Sequence, residues 1–194
     1  MIQISPEQTK DLIKALKHGE VVALPTETVF GLAIALNSAK ALEKLIYLKR
    51  RDLNSGKVFT LVPESRDEIR NYAVLNKLSR EYIAKYIPGE ITLILNKNPE
   101  FNHPYFNHFT TVGVRIPASP LFDKILKEAG PLLLTSANPR GDQPAISSDE
   151  VVRNLPKVDV VVEGRTIEGK LPSTVVDLTS KEPRIIRQGD LKVL

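Results

Sequence analysis

The sequence predicts an α/β domain with a mixed, twisted β-sheet. Short apolar runs bounded by Gly, Pro or polar residues are typical of buried strands, and residues 21–24 and 132–134 are two of them. Longer segments between these runs carry apolar residues at helical spacing. Because strands and helices interleave without strict alternation, a mixed sheet is favoured over a fully parallel one. No stretch resembles an interdomain linker, so residues 1–194 are expected to form a single domain.

Helix starts are predicted where an N-cap residue precedes apolar residues at helical spacing. Ser5-Pro6-Glu7-Gln8 and Ser65-Arg66-Asp67-Glu68 have the form of capping boxes, and Ser38 opens a helix that ends in Lys49-Arg50-Arg51. Three further helices are predicted within 78–87, 119–130 and 147–155. Strands are expected at 21–24, 58–62, 91–95, 111–116, 132–134, 158–162, 175–178 and 184–187, the last two as a closing hairpin.

Composition limits the classes of protein that this chain can be. The absence of cysteine excludes disulfides, thiolate metal sites and a cysteine nucleophile. Together with the lack of a recognisable secretory signal, it favours a cytoplasmic protein. No apolar run approaches the roughly 20 residues of a membrane-spanning helix, so no membrane contact is expected. The net charge of +4 favours anionic partners weakly and does not separate a nucleotide from a nucleic acid.

Polar side chains follow the apolar strand 21–24 directly. Pro25 ends the strand, and Thr26, Glu27 and Thr28 then place two hydroxyls and one carboxylate before the next apolar segment. Short polar groups between two buried segments at the carboxyl edge of a sheet are well placed to contact a ligand. The alternative is a threonine-rich turn that satisfies only its own backbone.

Further polar residues stand at the ends of predicted elements. Lys49 and Arg51 end a helix, Arg115 and Arg187 lie near strand ends, and Ser136-Ala137-Asn138 follows a short apolar strand. If these ends converge, they make a cavity lined by hydroxyls, one amide and several cations, which suits a polyanion. Taken singly, the basic cluster could instead complement the helix dipole, and Ser136 and Asn138 could cap the next segment of the chain. Arg115 requires a partner, because an apolar strand rarely carries an unpaired arginine.

The segment from Asn98 to Phe109 is a polar and aromatic loop to which the sequence assigns no role. It contains His103 and His108, which have no acidic or thiol partner at the usual metal spacing and are predicted not to bind a metal. The chain also lacks Walker, dinucleotide-binding and nucleophile-elbow motifs. The common fingerprints therefore give no support to a nucleotide site.

Six segments nevertheless occur together in an order that is typical of one family. They are Pro25-Thr26-Glu27-Thr28-Val29-Phe30-Gly31-Leu32, Lys49-x-Arg51, Thr111-Val112-Gly113-Val114-Arg115-Ile116-Pro117, Thr135-Ser136-Ala137-Asn138, Pro172-Ser173-Thr174-Val175-Val176-Asp177 and Arg187-Gln188-Gly189. Through these motifs nearly the whole chain resembles the YrdC/TsaC family of threonylcarbamoyl-AMP synthases, in its short, single-domain form. The resemblance implies a YrdC-like α/β fold: an open, twisted, mixed sheet with flanking helices and a positively charged central cavity.

The resemblance also implies an enzyme. It would be a nucleotidyltransferase that forms threonylcarbamoyl-AMP and pyrophosphate from L-threonine, bicarbonate and ATP, with Mg²⁺ accompanying the ATP. Its product would serve threonylcarbamoyladenosine modification of tRNA through a separate TsaD-type transferase. Two alternatives stay open: a non-catalytic module that binds structured RNA in the same basic cavity, and a nucleotide-dependent ribosome or RNA maturation factor without turnover. A net charge of only +4 fits shape-based RNA binding less well.

The family's motifs imply roles for nine residues of this chain. Lys49 and Arg51 are expected to be catalytic. ATP binding is expected from Lys49, Arg51, Thr111, Ser136, Asn138 and Arg187. Threonine binding is expected from Thr28, Arg115 and Ser173, and no side chain is assigned to a metal. Asp52 and Thr60 depart from residues common in relatives, so the role of Thr60 and a lid function of the loop from Asp52 to Lys57 stay open.

Overall fold

The computed structural model of the chain describes residues 1–51 and 58–193. These residues form the strands, the α-helices and the 3₁₀ turn β1 (Ile2–Ile4), α1 (Thr9–Lys17), β2 (Val22–Leu24), β3 (Gly31–Ala35), α2 (Ala39–Leu48), β4 (Thr60–Val62), α3 (Ile69–Tyr72), α4 (Lys77–Tyr86), β5 (Ile91–Asn96), the 3₁₀ turn Phe106–His108, β6 (Thr111–Val114), α5 (Pro120–Ala129), β7 (Leu132–Ser136), α6 (Ser148–Asn154), β8 (Val160–Val162), β9 (Thr174–Asp177) and β10 (Arg184–Arg187).

The strands of the described residues form one sheet in the order β1-β8-β2-β3-β7-β4-β6-β5-β9-β10. Strand β8 pairs in parallel with β1 and β2, and so do β4 with β6 and β5 with β9. The remaining neighbours are antiparallel, including the predicted hairpin of β9 and β10. Since β1 and β10 form two separate edges, the sheet is open. The predicted α/β class with an open mixed sheet and flanking helices is confirmed.

Helices cover the apolar surface of this sheet. α1 packs on β2, β3 and β8 and also against α5, α2 packs on β3, and α6 packs on β2 and β8. α1 buries Leu12, Ile13 and Leu16, the stripe expected from helical spacing. Large fully buried rings, such as Phe30 and Phe122, fill the core. Within the described ranges, no helix has both the length and the apolar character that crossing a bilayer requires.

Two predicted helix starts are wrong. α1 begins at Thr9 and α3 at Ile69, in each case after the capping-box segment rather than inside it. The backbone N–H of Gln8 donates to the Ser5 carbonyl at 3.1 Å, which closes a turn ahead of α1. The Gln8 side chain still accepts a hydrogen bond from the Ser5 N–H at 2.9 Å, so the reciprocal pattern exists without the helix around it.

The sequence prediction also misses two strands and shortens a third. β3 begins at Gly31 and pairs with β2, so residues 25–30 are the connection of an antiparallel pair. β1 is mostly exposed and has no strand signal of its own. β7 continues through Thr135 to Ser136, where Ser136 lies opposite Gly31. This register places the connection after β2 beside the segment after β7.

Candidate active site

The ends of the central strands enclose a cavity of about 710 Å³. This volume lies in the range of small-molecule sites, roughly 300–1,000 Å³. All nine residues to which the sequence analysis gave a role line the cavity: Thr28, Lys49, Arg51, Thr111, Arg115, Ser136, Asn138, Ser173 and Arg187. Residues from elements far apart in the chain thus meet in one place.

The cavity is rich in positive charge. Its described lining residues include one acidic residue, Asp177, and five cations: Lys49, Arg51, Arg115, Arg140 and Arg187. The carboxylate of Asp177 is already engaged, because it accepts hydrogen bonds from the backbone N–H and hydroxyl of Thr179 and pairs with Arg184 at 2.9 Å. The cations therefore outweigh the negative charge at the cavity, which favours a ligand with several negative charges.

The C-terminus of α2 directs two of these cations into the cavity. The N–H of Arg50 donates to the Tyr47 carbonyl, and that of Arg51 donates to the Ile46 carbonyl, both at 3.0 Å. These are the two hydrogen bonds of a Schellman motif. Arg50 occupies the left-handed position of this motif with φ 46°, where glycine is usual. The turn at Arg50 allows Lys49 and Arg51 to line the same cavity.

Lys49 is buried and fully hydrogen-bonded. Its side chain ends in an ammonium that donates to the Ser136 carbonyl (2.7 Å), the Asn138 carbonyl (2.5 Å) and Asn138 Oδ1 (3.0 Å). An ammonium has three donors, so the segment after β7 uses all of them. Burial first, and then the charge of Arg51, lower the pKa of Lys49 to about 7, against the opposing charge of Asp142. Lys49 therefore holds this segment in place. The alternative, that the lysine only complements the negative end of the helix dipole from the surface, does not explain these contacts.

Asn138 is hydrogen-bonded on both sides of its amide. Oδ1 accepts from Lys49 and from the Ser136 hydroxyl (2.6 Å), while Nδ2 donates to the carbonyls of Pro139 and Asp142, each at 2.8 Å. A flipped amide would turn its NH₂ group toward the Lys49 ammonium, so the contacts fix this orientation. The Asn138 side chain thus shapes the wall of the cavity.

Arg51 is held differently. Its guanidinium carbon lies 4.7 Å from the centroid of the Phe59 ring, within the range of a cation–π contact. Its Nε is buried and has no hydrogen-bond partner among the residues that the structure describes. A buried guanidinium donor without an acceptor is available to an anionic ligand.

Thr28 and Arg115 meet at the other part of the cavity. The Thr26 hydroxyl donates to the Val29 carbonyl (2.7 Å), so Thr26 must accept the hydroxyl proton of Thr28 at 2.9 Å. Arg115 donates to the Thr28 hydroxyl at 3.0 Å and pairs with Glu27 at 3.1 Å. The expectation that Arg115 has a partner is confirmed. The Nε of Arg115 is buried and unpartnered within the described part of the chain.

Ser173 and Arg187 form the third part. Nε and Nη2 of Arg187 donate to the Ser173 carbonyl at 3.0 and 2.8 Å, and Nη2 also reaches the Ser173 hydroxyl at 3.2 Å. That hydroxyl also contacts the Thr92 hydroxyl at 2.9 Å. Burial of the guanidinium, and then the positive charge of Arg115, lower the pKa of Arg187, although the residue as a whole is exposed. Two arginines that repel each other across a cavity favour an anion between them.

Gly189 lets the chain approach Ser173 closely. A Cβ atom at this position would stand 2.4 Å from the Pro172 carbonyl oxygen and 2.8 Å from the Thr174 nitrogen. The Gly189 N–H also donates to the Thr174 hydroxyl at 3.0 Å. Glycine in the Arg187-Gln188-Gly189 motif therefore has a packing reason, because any side chain would push the Ser173 segment out of place.

Comparison with known proteins identifies the family. The sequence model of the Sua5, YciO and YrdC proteins, described as "Telomere recombination", matches residues 14–189. The chain belongs to this family.

Relatives within the Sua5/YciO/YrdC family agree over most of the chain. The threonylcarbamoyl-AMP synthase of Vibrio campbellii is 31% identical over 185 residues, which cover 93% of this chain and 98% of the relative. That of Photobacterium profundum is 30% identical over 188 residues, covering 94% and 100%. The crystal structure of P. abyssi Sua5 complexed with L-threonine matches with a TM-score of 0.84 and 26% identity over 98% of this chain. The chain spans 57% of the length of that Sua5.

Residues of all six family segments line this cavity. Thr111 lies at the start of β6 and Arg115 directly after its end, while Thr60 of β4 also lines the cavity. The loop from Asp52 to Lys57, whose function as a lid is an open question, lies outside the described residues.

No role was predicted from the sequence for Arg140 or Thr92, and Glu27 was placed in a polar turn with no partner named for its carboxylate. Arg140 follows the Ser136–Asn138 segment and lines the cavity, Thr92 contacts Ser173, and Glu27 pairs with Arg115. Arg140 stands two residues after Asn138, and this proximity was a usable signal. The contact of Thr92 with Ser173 and that of Glu27 with Arg115 form only in the folded sheet, and no local pattern reveals either contact.

Proposed function

We propose that this protein is an L-threonylcarbamoyladenylate synthase, a nucleotidyltransferase that converts L-threonine, bicarbonate and ATP to threonylcarbamoyl-AMP and pyrophosphate. The observation that carries the proposal is the single cationic cavity that joins the Arg51 and Lys49 side to the Thr28 and Arg115 side. The relatives' names support threonylcarbamoyl-AMP as the product, and the threonine complex of Sua5 supports threonine as a substrate.

Arg51, Arg187 and the segment after β7 suit the phosphates of ATP. Arg51 has a buried Nε without a partner in the described residues, and the Arg187 guanidinium faces the charge of Arg115. Lys49 adds positive charge while it holds Ser136 and Asn138 in place. Thr111 stands at the same cavity with a hydroxyl for the nucleotide. These groups would neutralise the charge that grows on the α-phosphate during its substitution.

Thr28 and Arg115 suit the amino acid. Because Thr28 gives its proton to Thr26 and accepts a hydrogen bond from Arg115, its remaining lone pair can accept from a ligand donor such as the threonine amine. Arg115 keeps a free buried Nε among the described contacts, which suits the threonine carboxylate. Ser173 lies beside Arg187 and would border both substrates.

The reaction needs positioning more than a strong base. Bicarbonate and the threonine amine condense to a carbamate with loss of water, and a carbamate oxygen attacks the α-phosphorus. The new bond forms between that oxygen and phosphorus while the bond to the β-phosphate oxygen breaks, so pyrophosphate leaves. In water, two anions repel each other and rarely meet in a reactive geometry. Arg115 and Arg51 would hold them close enough to react.

Mg²⁺ would arrive with ATP as part of the substrate. In the described residues no group of three or more His, Asp or Glu side chains could hold a metal ion. Asp177, the acidic residue at the cavity, is engaged by Thr179 and Arg184. These residues do not fit a resident metal site, so phosphate oxygens and water would supply the ligands of the ion.

The product would require a partner enzyme. A threonylcarbamoyl-adenylate is an activated acyl donor, and we propose that a TsaD-type transferase uses it to modify tRNA. Direct RNA binding would then be unnecessary for the first step, and the cavity supports it less well than it supports a nucleotide, because its cations lie inside a concave site.

Incubation of the pure protein with ATP, Mg²⁺, labelled bicarbonate and threonine tests the proposal. The expected result is a labelled adenylate and pyrophosphate, both dependent on threonine. Arg51→Ala should lower the rate by about 10²-fold or more, as for other charge-stabilising groups. Arg80→Ala, which removes an exposed arginine of α4, is the matched control and should keep the rate. RNA retention without turnover would instead support the non-catalytic alternative.

A further inference from the structure

The loop 98–109 packs as an aromatic cluster near the cavity, and neither the family motifs nor the proposed reaction gives it a role. Tyr105 is at its centre, with ring centroids 5.0 Å from Phe106 and 5.5 Å from Phe109. The Tyr105 N–H donates to Nδ1 of His103 at 3.2 Å, so Nε2 carries the ring proton and donates to the Leu36 carbonyl at 3.0 Å. His103 thereby ties Tyr105 to Leu36, the residue after β3.

Tyr105 in turn fixes Phe59. The two rings stack with centroids 5.2 Å apart and an angle of 17° between their planes. The Tyr105 hydroxyl oxygen also accepts the backbone N–H of Phe59 at 2.9 Å. Phe59 is fully buried and Tyr105 is 4% exposed, so neither ring has room to shift without disturbing its neighbours.

The Phe59 ring packs against the guanidinium of Arg51. The guanidinium carbon lies 4.7 Å from the Phe59 centroid, and this is a contact that constrains an otherwise flexible side chain. The charge of Arg51 also reaches the Tyr105 hydroxyl. Burial raises the pKa of Tyr105, and the hydrogen bond from Phe59 and the nearby Arg51 oppose that rise. The hydroxyl therefore stays neutral with its oxygen directed at two donors.

We propose that Tyr105 is a positioning residue for Arg51, acting through the Phe59 ring and its own hydroxyl oxygen. The inference rests on the proposed function, since it assumes that Arg51 contacts ATP. It assigns the aromatic loop a task in catalysis: the loop sets where the guanidinium stands relative to the α-phosphate. A displacement of about 1 Å at such a group can cost about 10²-fold in rate.

A positioning role and a purely structural role for Tyr105 predict different results for the variant Tyr105→Phe, and only the positioning role leaves the KM for one substrate unchanged. The Thr28 and Arg115 side of the cavity has no contact with Tyr105 among the hydrogen bonds and ion pairs of the described residues, so Tyr105→Phe should leave the KM for threonine unchanged. It should lower kcat/KM for ATP by about tenfold, a fraction of the full displacement cost. If Tyr105 is only structural, the variant should alter the KM values for both threonine and ATP. It should also lower the unfolding midpoint in proportion.

A double-mutant cycle of Tyr105→Phe and Arg51→Ala decides between these roles, with ATP binding by titration and pyrophosphate release as readouts. If Tyr105 acts through Arg51, the double variant matches Arg51→Ala alone. Tyr72→Phe is the matched control, because Tyr72 joins the same cluster through Phe101 at 5.0 Å. If Tyr105→Phe folds poorly, Phe59→Leu takes its place in the cycle. It keeps an apolar side chain but removes the ring beside Arg51, and it should also lower kcat/KM for ATP.

The outcomes separate this inference from the proposed function. Additive losses in the cycle, with a wild-type protein that binds ATP and releases pyrophosphate, overturn the positioning role alone. A wild-type protein that neither binds ATP nor releases pyrophosphate overturns both. Equal effects of Tyr72→Phe and Tyr105→Phe would show that the cluster contributes only packing, and would also reject the inference.

Discussion

Lys49→Met should change how stability depends on pH. Methionine keeps the apolar stem and removes the ammonium, which is buried against Ser136 and Asn138. The pKa of Lys49 is lowered from 10.5 to about 7, first by burial and then by Arg51. Between these two values the unfolded chain holds a proton that the folded protein has released. Raising the pH through this window therefore stabilises the folded wild-type protein.

The magnitude depends on the width of the window. Each pH unit well inside it adds about 1.4 kcal/mol to the free energy of unfolding, with half of that slope at the folded pKa. From pH 7 to pH 9 the wild type should gain about 2 kcal/mol relative to Lys49→Met, which lacks the titrating group. All other groups titrate in both proteins, so the difference between the two curves isolates Lys49.

Urea unfolding of both proteins at pH 6, 7, 8 and 9 gives the measurement. Lys17→Met, which removes an exposed lysine at the end of α1, is the control and should stay parallel to the wild type. If the free energies of wild type and Lys49→Met run parallel across pH 7 to 9, the Lys49 ammonium keeps its proton in the folded state and the reasoning is wrong.

Three further predictions concern binding and packing. Arg115→Lys should raise the KM for threonine about 10- to 100-fold and change the KM for ATP little, because lysine lacks the planar fork and the Nε donor with which Arg115 can hold Glu27 and also face a carboxylate. The loss corresponds to about 1.5–3 kcal/mol for a charged hydrogen bond, and a larger effect on the KM for ATP in initial-rate measurements would contradict the prediction. Arg50→Gly should raise the free energy of unfolding by about 0.5–1 kcal/mol. Glycine removes a left-handed backbone strain of about 1–2 kcal/mol, and part of this gain is offset because glycine adds chain entropy to the unfolded state. Urea midpoints test this, and a destabilised variant would show that the Arg50 side chain contributes contacts. Gly189→Ala should lower the free energy of unfolding by about 1–3 kcal/mol and weaken ATP binding, because the Cβ of the alanine would collide with the backbone on both sides of Ser173. Unchanged thermal unfolding together with unchanged ATP binding in a titration would refute the prediction.

Parts of the fold were predictable because their signals are local. The apolar run of β2 and the N-cap Ser38 of α2 specify their elements without help from the rest of the chain. β3 was not predictable in this way, because its strand character comes from pairing with β2 and β7. The capping-box patterns at Ser5 and Ser65 were misread for the opposite reason: local hydrogen bonds form at Ser5, but in both places the helix begins only after the pattern.

Nine residues of the cavity lining were predictable from the sequence, but the contacts that each of them makes were not. Charge and position near element ends selected Lys49 and Arg115, and the requirement that Arg115 be paired came from burial alone. Which carboxylate pairs with it could not be predicted, because Glu27 and Arg115 meet only through the folded sheet. The hydrogen bonds of Asn138 were equally hidden, since its partners come from a loop closed by tertiary contacts.

The pattern of satisfied and unsatisfied groups divides labour among the cations. Lys49 donates every proton to the segment that it supports, so phosphate contact from Lys49 would require the loss of a protein hydrogen bond. Arg51 and Arg115 instead each keep a buried Nε without a partner in the described chain. A guanidinium stays charged where a buried ammonium loses its proton near pH 7, and its fork can face a carboxylate or a phosphate while other donors hold it in place. The arginines are therefore suited to the substrates and the lysine to the wall that shapes their site.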